Sequence, residues 1–344
     1  MRKRFTHVCK LFKIGISRML NFRRAFKRRT WGTYLKFGLI VLFIALLIYH
    51  IVDIFICWPF YFGKQKPDFV CMNFRDRLGN QMFQYAFAYS VAKEYQRDLI
   101  VPEESMLTEY FDIEPNTWFM YDFNRYSCRC FTLRLDSKHC GYDQNNVNIT
   151  KNKNIAFEGY FQSWKYWKKY EKEVKQMFTF KPEISHNAQN QLKKVLKSKG
   201  ITQGDGTVLV GVHIRYWEEY YNSIIGKNQA PKSYVTNAVN YFRRKFKKVL
   251  FIVATNSVSW AKTMLDNGSD TIILEGNSAP VDMATLSLTN HTIMTVGSFG
   301  WLIGWLTGGI TVYYKYPDEP GSKYAAQFHP GRVDHFYPGW IGME

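Results

Sequence analysis

Residues that suit phosphate binding border two predicted strands in the C-terminal half of the chain. The apolar run "VLVGV" leads into His213 and Arg215, and the run "TIMTV" leads into Gly297 and Ser298, where a helix can begin. Guanidinium groups and the unpaired N–H groups of a helix start both bind phosphate oxygens. The pattern predicts an anion site, with two simpler alternatives: an ordinary strand-to-helix turn at Ser298, and a surface or salt-bridge role for Arg215.

The elements around these residues alternate between strand and helix after residue 201. The predicted strands are "TVLVGVHI", "KVLFIVAT", "DTIILEG", "HTIMTV" and "ITVYYK", and the predicted helices lie near 231–247, 258–266, 282–288 and 298–307. Nearly continuous apolar strands that alternate with helices indicate a parallel sheet covered on both faces. Ligands of such sheets bind beyond the carboxyl ends of the strands, so we expect the site at that edge. The ends of the second and third strands, at 255–257 and at Glu275, are further candidates.

A second α/β unit precedes this one. "DFVCMNF" predicts a strand, "RDRLGN" a turn and "QMFQYAFAYSVAKEY" a helix, and a further strand begins at residue 155. We therefore expect two lobes, an N-terminal lobe over residues 68–200 and a C-terminal lobe over 201–344.

The N-terminus has the pattern of a membrane anchor. Residues 1–36 contain 12 Lys and Arg and no Asp or Glu, and residues 37–57 form an apolar segment of the ~20 residues that a membrane-spanning helix needs. A cleaved signal peptide would have a shorter apolar core and a small-residue cleavage site. The positive-inside rule predicts a cytoplasmic tail over 1–36, a signal anchor over 37–57 and a short lumenal stem over 58–67. The alternative is a buried core helix.

The charge distribution disfavours a nucleic-acid partner. The formal net charge is +18, but outside the basic N-terminus 34 Lys and Arg face 28 Asp and Glu. The basic excess therefore belongs mainly to the predicted cytoplasmic tail rather than to the folded lobes.

A lumenal location predicts disulfides and glycans. Cys71 and Cys140 are expected to form two bridges with Cys128 and Cys130, and buried thiols are the alternative. Three sequons predict N-glycosylation, the third in an apolar stretch that could be inaccessible; they begin at Asn148, Asn267 and Asn290.

Several catalytic motifs do not occur in the sequence. The chain has no Asp-x-Asp, no Walker lysine loop, no HExxH and no GxSxG. A lumenal enzyme that releases a diphosphate without an acidic metal site would have to stabilise it with arginine and a helix start. This chemistry suits a metal-independent nucleotide-sugar transferase with two Rossmann-like lobes.

Five ordered segments resemble the α-1,2-fucosyltransferase family (glycosyltransferase family 11), particularly its nematode branch. They are "RLGNQMFQYAFAYSVA" (77–92), "FEGYFQSWKYW" (157–167), "VGVHIR" (210–215), "FIVATNSVSW" (251–260) and "DMATLSLTNHTIMTVGSFGWLIGWLTGGITVYYK" (282–315), and a family-like "FYPGW" follows at 336–340. The resemblance covers about residues 69–344. It implies an α/β, GT-B-like fold of two Rossmann-like lobes, preceded by a single N-terminal transmembrane helix.

The resemblance also implies the reaction and the location. A type II Golgi membrane protein, single-pass with its catalytic domain in the lumen, would transfer fucose from GDP-β-L-fucose to a sugar hydroxyl, with inversion and without metal or other cofactor. The acceptor would be a glycan on a glycoprotein or glycolipid, with the galactose 2-hydroxyl as the expected position. A homodimer is a further expectation.

Residue roles follow from the same resemblance. His213 and Arg215 would contact the donor diphosphate, Ser298 and Phe299 the β-phosphate, and Asp282 the guanosine end. The matching glycine turn is expected to place Asn80 at the cleft, beside the donor. Aromatic side chains around Tyr160 and Trp164 could shape the acceptor groove, with core packing as the alternative for Trp164.

This chain departs from the family pattern at three positions. The family motif is roughly His-x-Arg-Arg-x-Asp, whereas this chain has Tyr216 for the second arginine and Glu218 for the aspartate; Asp76 replaces the first glycine of the glycine turn. Glu218 is the predicted general base, with Glu219 and Asp76 behind it. The alternative function is therefore a weakened or inactive fucosyltransferase-like protein that binds glycans or a partner enzyme in the Golgi.

Overall fold

The computed structural model describes residues 31–62, 69–101, 105–114, 133–137, 140–149, 155–202, 204–218, 224–266 and 268–344. Helix α1, Trp31–Phe62, contains the predicted anchor segment, and its described side chains over 36–51 are exposed. Within the described parts of the chain, no helix has the length and apolar character required to cross a membrane. The predicted anchor is therefore not confirmed. Residues 67–344 form one compact unit.

The first sheet of this unit contains four parallel strands in the order β2-β1-β4-β3. The strands are β1 Phe69–Met72, β2 Asp98–Ile100, β3 Leu133–Ser137 and β4 Ile155–Gly159. The helices that accompany them are α2 Leu78–Glu94, α3 Met106–Tyr110 and α4 Glu171–Met177. All four residues of β1 are buried, as expected for an apolar strand with neighbours on both sides.

The second sheet contains six parallel strands in the order β10-β9-β8-β5-β6-β7. They are β5 Val208–Ile214, β6 Val249–Thr255, β7 Thr271–Ile273, β8 His291–Met294, β9 Thr311–Tyr314 and β10 Ile341–Met343. The helices are α5 Pro182–Ser198, α6 Lys232–Lys245, α7 Val258–Met264, α8 Ala279–Ser287 and α9 Ser298–Thr307. The predicted alternation after residue 201 is confirmed, and β10 is an addition that the sequence pattern did not reveal.

Aromatic packing joins the two sheets. Trp301 of α9 lies 4.8 Å from Phe83 of α2 between ring centroids, and its indole N–H donates to the His335 carbonyl at 2.9 Å. His335 in turn pairs through Nδ1 with the Gln162 carbonyl at 2.7 Å. Because α5 packs against α8, the chain before residue 200 already contacts the second sheet's helices. The proposed lobe boundary at residue 200 stays a prediction.

The cysteines behave differently from one another. Cys71 is disulfide-bonded, as expected, and its pairing with Cys128 or Cys130 stays a prediction. The bridge predicted for Cys140 is wrong, because this cysteine is a buried free thiol whose Sγ donates to Gln327 Oε1 at 3.1 Å. Burial raises the pKa of the Cys140 thiol to about 12, so it stays neutral. Cys128 and Cys130 lie outside the described residues.

The sequons occupy contrasting surroundings. Asn148 is exposed, while Asn267 lies outside the described residues. Asn290 is also exposed, but its side-chain oxygen accepts from the Leu209 amide at 2.8 Å and Thr292 of the same sequon is fully buried. In the folded chain the threonine of the third sequon is therefore inaccessible to solvent. Glycosylation at all three asparagines stays a prediction.

Candidate active site

The start of α9 presents backbone donors at the edge of the second sheet. Gly297 is the N-cap residue, and no side chain caps the helix at this end. Ser298, which could have capped it, instead donates its hydroxyl to Asn80 Oδ1 at 2.7 Å. Because the first N–H groups of a helix have no intrahelical acceptors, this ten-residue helix offers an anion-binding end.

His213 packs directly onto that helix start. Its ring centroid lies 5.1 Å from that of Phe299, and a Cβ at position 300 would lie only 2.6 Å from His213 Nδ1, so Gly300 is required for this approach. Burial lowers the pKa of His213 to about 3, with Arg215 adding to the effect. The imidazole is therefore neutral and can offer one N–H to a ligand but no charge. Nδ1 is buried and has no hydrogen-bond partner within the described residues.

Arg215 supplies the charge that His213 lacks. Its backbone N–H donates to Thr295 Oγ1 at 2.9 Å, which fixes the strand end beside the turn into α9. Its guanidinium carbon lies 4.6 Å from the ring centroid of Trp217. On the other side, a Cβ at Gly297 would lie 3.6 Å from Trp217 Cζ2, so this indole borders the helix start as well.

Lys227 is a cation at this site that the sequence did not point to. Its Nζ lies 4.4 Å from the ring centroid of Trp217 and 4.8 Å from that of Tyr324. Burial lowers the pKa of Lys227. Lys227 follows a segment whose apolar residues have neither helix nor strand spacing. Its positive charge, directly after Gly226, is the one sequence signal that could have marked it.

Asn80 and Gly79 bring the first lobe to the same place. Asn80 Oδ1 accepts from Ser298 Oγ and from Gln162 Nε2, the latter at 2.8 Å. A Cβ at position 79 would lie 2.8 Å from the Phe299 backbone nitrogen, so glycine allows α2 to begin against the start of α9. The glycine turn is thus part of the site, where the side-chain oxygen of Asn80 serves as a bridge between the lobes.

Asp282 lies in a different place from the strand-end residues. It is in the first turn of α8 and accepts from Asn277 Nδ2 at 2.9 Å, while burial raises the pKa of its carboxyl group. A cavity of about 590 Å³ opens next to it. Its polar and basic lining comes from α5 and from the turn before α8, and it includes Lys193, Lys194, Lys197, Asn277 and Ser278.

The predicted base is poorly anchored. Glu218 is exposed, and residue 219 lies outside the described residues. Tyr216 before it is fixed through its backbone, because its N–H donates to Asn256 Oδ1 at 2.8 Å and its carbonyl accepts from Asn256 Nδ2 at 3.1 Å. Its ring packs on Trp260 at 5.4 Å between centroids, so the phenol is on the β6–α7 side of the strand end.

Asp76 is better placed than Glu218 with respect to fixed neighbours. It has a positive φ of 63°, uncommon for a residue with a side chain, and its carbonyl accepts from Gln81 Nε2 at 3.0 Å. Burial raises the pKa of Tyr160, and a hydrogen bond to the Asp76 carboxylate adds to the effect. Trp164 packs on Tyr337, with 5.7 Å between their ring centroids, and is partly buried.

The site thus joins six residues from distant parts of the sequence. Those brought together are Asn80, His213, Arg215, Ser298 and Phe299, together with Lys227. Within the described residues, no hydrogen bond or ion pair joins Asp282 or Glu218 to this group, and the hydrogen-bond partner of Asp282 is Asn277. Within the described residues, no group of three or more His, Cys, Asp or Glu could hold a metal ion.

Comparison with known sequences identifies the family. The family model of glycosyl transferase family 11 matches residues 61–344. The chain belongs to glycosyl transferase family 11. This confirms the resemblance found in the sequence, and with it the prediction that the protein is a glycosyltransferase.

Curated relatives and a solved structure agree with this assignment. The family 11 protein is 29% identical over 280 residues to galactoside alpha-(1,2)-fucosyltransferase 2 of Gorilla gorilla gorilla, a match that covers 78% of this chain and 77% of that one. It is 27% identical to galactoside 2-alpha-L-fucosyltransferase SEC1 of Bos taurus, over 79% of this chain and 73% of that one. The structure of a mutant of Arabidopsis thaliana FUT1 in complex with GDP matches with a TM-score of 0.51 at 11% identity, over 82% of this chain and 78% of that one. The two parallel sheets and this likeness support the predicted α/β, GT-B-like fold.

Proposed function

We propose that this family 11 protein transfers L-fucose from GDP-β-L-fucose to the 2-hydroxyl of a galactose in a glycan acceptor, with inversion and without metal. The observation that carries the proposal is the uncapped start of α9 beside Arg215 at the end of β5. This arrangement offers backbone donors and a guanidinium to a diphosphate. The names of the α-(1,2)-fucosyltransferase relatives support the sugar and the linkage.

The chemistry requires charge stabilisation on the donor side. The acceptor oxygen bonds to C1 of fucose while the bond from C1 to the β-phosphate oxygen breaks, and the electron pair leaves with GDP. Arg215 and the N–H groups of α9 stabilise this charge, since preorganised donors act most strongly where charge develops. Neutral His213 packs on the helix start and can add a hydrogen bond.

The acceptor proton needs a base. Glu218 is our predicted base, although its exposed position leaves its carboxylate to be placed by bound substrate. Asp76, bonded to Tyr160 on the N-terminal side of the cleft, is the second candidate. Replacing each by its amide distinguishes them, because the variant of the true base loses turnover while its GDP affinity stays unchanged.

Activity of the full-length chain tests the proposal. Incubation with GDP-fucose and an array of galactose-terminated glycans should release GDP and give a product with fucose linked to the galactose 2-position. Arg215→Ala should lower turnover by about 10- to 150-fold, the range expected for loss of a charge-assisted hydrogen bond. The matched control is Arg244→Ala, which removes an exposed arginine of α6. Absence of GDP release with every acceptor would refute the enzyme proposal.

The alternative is a glycan- or enzyme-binding protein of the Golgi with weak or no activity. It is favoured by Tyr216, which stands where the resemblance implies a second arginine and packs on Trp260. Titration calorimetry separates the two functions: micromolar GDP binding supports the enzyme, and no detectable GDP binding supports the binding protein.

We further propose a type II Golgi membrane location with the catalytic unit in the lumen. The apolar segment 37–57, the basic residues before it and the exposed apolar side chains of α1 support the anchor. The disulfide at Cys71 fits an oxidising compartment. Protease protection in sealed microsomes tests the orientation, since residues 67–344 should be protected until detergent is added. Homodimerisation is a proposal that cross-linking would test.

A further inference from the structure

Lys227 is held at a fixed place in the cleft. The carbonyl of the preceding Gly226 accepts from the Glu319 amide at 3.0 Å and from Ser322 Oγ at 3.3 Å, and Lys227 itself forms an antiparallel bridge with Asp318. The side chain is partly buried between the rings of Trp217 and Tyr324. A flexible lysine is thereby confined to a single region before any ligand binds.

Arg215 and Lys227 meet at one indole. The guanidinium carbon of Arg215 is 4.6 Å, and the ammonium nitrogen of Lys227 is 4.4 Å, from the ring centroid of Trp217. The same indole borders Gly297, where α9 begins. Two cations and a helix start therefore converge around Trp217, and all three favour a ligand with more than one negative charge.

The groups around Lys227 have opposing effects on its pKa. Burial lowers its pKa, and nearby Arg215 lowers it further, while Cys140 and Asp76 oppose these effects. The Cys140 thiol is neutral at physiological pH because burial raises its own pKa to about 12. Asp76 is the acidic group that raises the pKa of Lys227, and its carboxylate also accepts from Tyr160. Two like charges in a partly desolvated site disfavour each other, and a bound dianion relieves that repulsion.

We propose that Lys227 is a second cation that contacts the diphosphate of GDP-fucose and stabilises it, with Arg215, as GDP departs. This inference rests on the proposed function. Lys227 keeps its proton throughout: the electron pair of the broken C1–O bond goes to the β-phosphate, and the ammonium and guanidinium groups face the resulting charge. Trp217 sets the spacing between the two cations. Lys227 thus brings to the diphosphate site a charge that Tyr216 does not provide.

Nucleotide binding by the full-length chain tests the assignment. Calorimetry with GDP and GMP would compare wild type, Lys227→Gln, Lys227→Arg and Lys175→Gln. Lys175 is a matched control, because its Nζ also lies over a tryptophan, 5.7 Å from the ring centroid of Trp305, at the opposite end of α9. We expect Lys227→Gln to weaken GDP binding about 10- to 100-fold and GMP binding much less. Lys227→Arg should retain most of the GDP affinity, and Lys175→Gln all of it.

The pH dependence gives a readout that a structural role would not produce. Because the pKa of Lys227 is lowered, GDP affinity of the wild type should fall as pH rises through that pKa, whereas Lys227→Arg should keep its affinity over the same range. Thermal unfolding would verify that each variant is folded.

The possible results separate the two proposals. If wild type binds GDP and Lys227→Gln keeps the wild-type affinity for both nucleotides, the assignment of Lys227 is wrong and the proposed function stands. An equal loss for both nucleotides would also refute it, since that indicates a general disturbance of the site. If wild type fails to bind GDP, both proposals are refuted.

Discussion

Two strand-to-helix turns lie at the same edge of the second sheet, and both contain a serine. In the β6–α7 turn, Ser257 Oγ accepts from the Trp260 amide of its own helix at 3.4 Å, and Thr255 Oγ1 accepts from the Ser257 amide at 3.0 Å. The side chain of Asn256 forms hydrogen bonds with the backbone N–H and carbonyl of Tyr216. The polar groups of this turn thus stabilise the lobe that carries them.

The β8–α9 turn uses its serine in another way. Ser298 donates to Asn80 of the other lobe, and the helix that it begins has no side-chain cap. Glycine at positions 79 and 300 allows α2 and His213 to approach the same helix start. The serine itself therefore does not define a binding turn. What distinguishes this turn is the glycines that let other elements reach it, together with backbone donors left for a ligand.

Acid should lower the free energy of unfolding through two buried histidines that pack against α9, and this is the largest effect we expect. Burial is the main cause that lowers the pKa of His213 to about 3 and the pKa of His335 to about 4. The carbonyl of His335 also accepts the indole N–H of Trp301. An unfolded histidine binds a proton below about pH 6.5, whereas these two cannot until far lower pH. The free energy of unfolding should therefore fall as pH drops below 6.5, by about 2 kcal/mol for each histidine at pH 5.

Denaturant unfolding between pH 7.5 and 5 measures this loss. His335→Gln should show a shallower decline with falling pH than wild type, whatever its stability at pH 7.5. A decline of equal steepness in the two proteins would mean that His335 does not remain neutral in the folded chain.

Gly300→Ala should have the next largest effect. A Cβ at this position would lie 2.6 Å from His213 Nδ1 and 3.1 Å from Met294 Cβ, so the helix or the imidazole must move. Overpacking of this kind costs about 1–3 kcal/mol, and here it should also weaken GDP binding. Gly38→Ala is the matched control, because it is another helical glycine and has no atom within 4 Å of the new Cβ. Thermal unfolding and GDP titration of both variants would show whether close approach at Gly300 is essential.

The strand ends of the second sheet were the part of the site most open to prediction. Apolar strands in a parallel sheet place their carboxyl ends at one edge, so His213, Arg215 and Ser298 could be grouped from spacing alone. Strand β10 was missed because it has only three residues and a central glycine, too short for a period-2 pattern.

Contacts between distant segments could not be predicted from the sequence. Lys227 reaches Trp217 because the 318–322 segment fixes its backbone, and no local pattern encodes that pairing. Cys140 has the residue type for a bridge, but its thiol is buried against Gln327, and pairing depends on positions in space rather than along the chain. Asn80 was expected at the cleft, whereas its use as a bridge between lobes depends on how closely the two helices approach.

Replacing each serine by alanine gives the smallest effect and the most direct test of the comparison between the two turns. Ser257→Ala removes a helix cap and should lower the free energy of unfolding by about 0.5–2 kcal/mol with no change in GDP affinity. Ser298→Ala removes one hydrogen bond to Asn80, whose oxygen still accepts from Gln162, so its effect on stability should be about 0.5–1.5 kcal/mol. GDP affinity should nevertheless fall for Ser298→Ala, because that hydroxyl aligns the helix start with the first lobe. If the two variants lose stability and keep GDP affinity alike, the serines are equivalent and the β8–α9 turn is an ordinary turn.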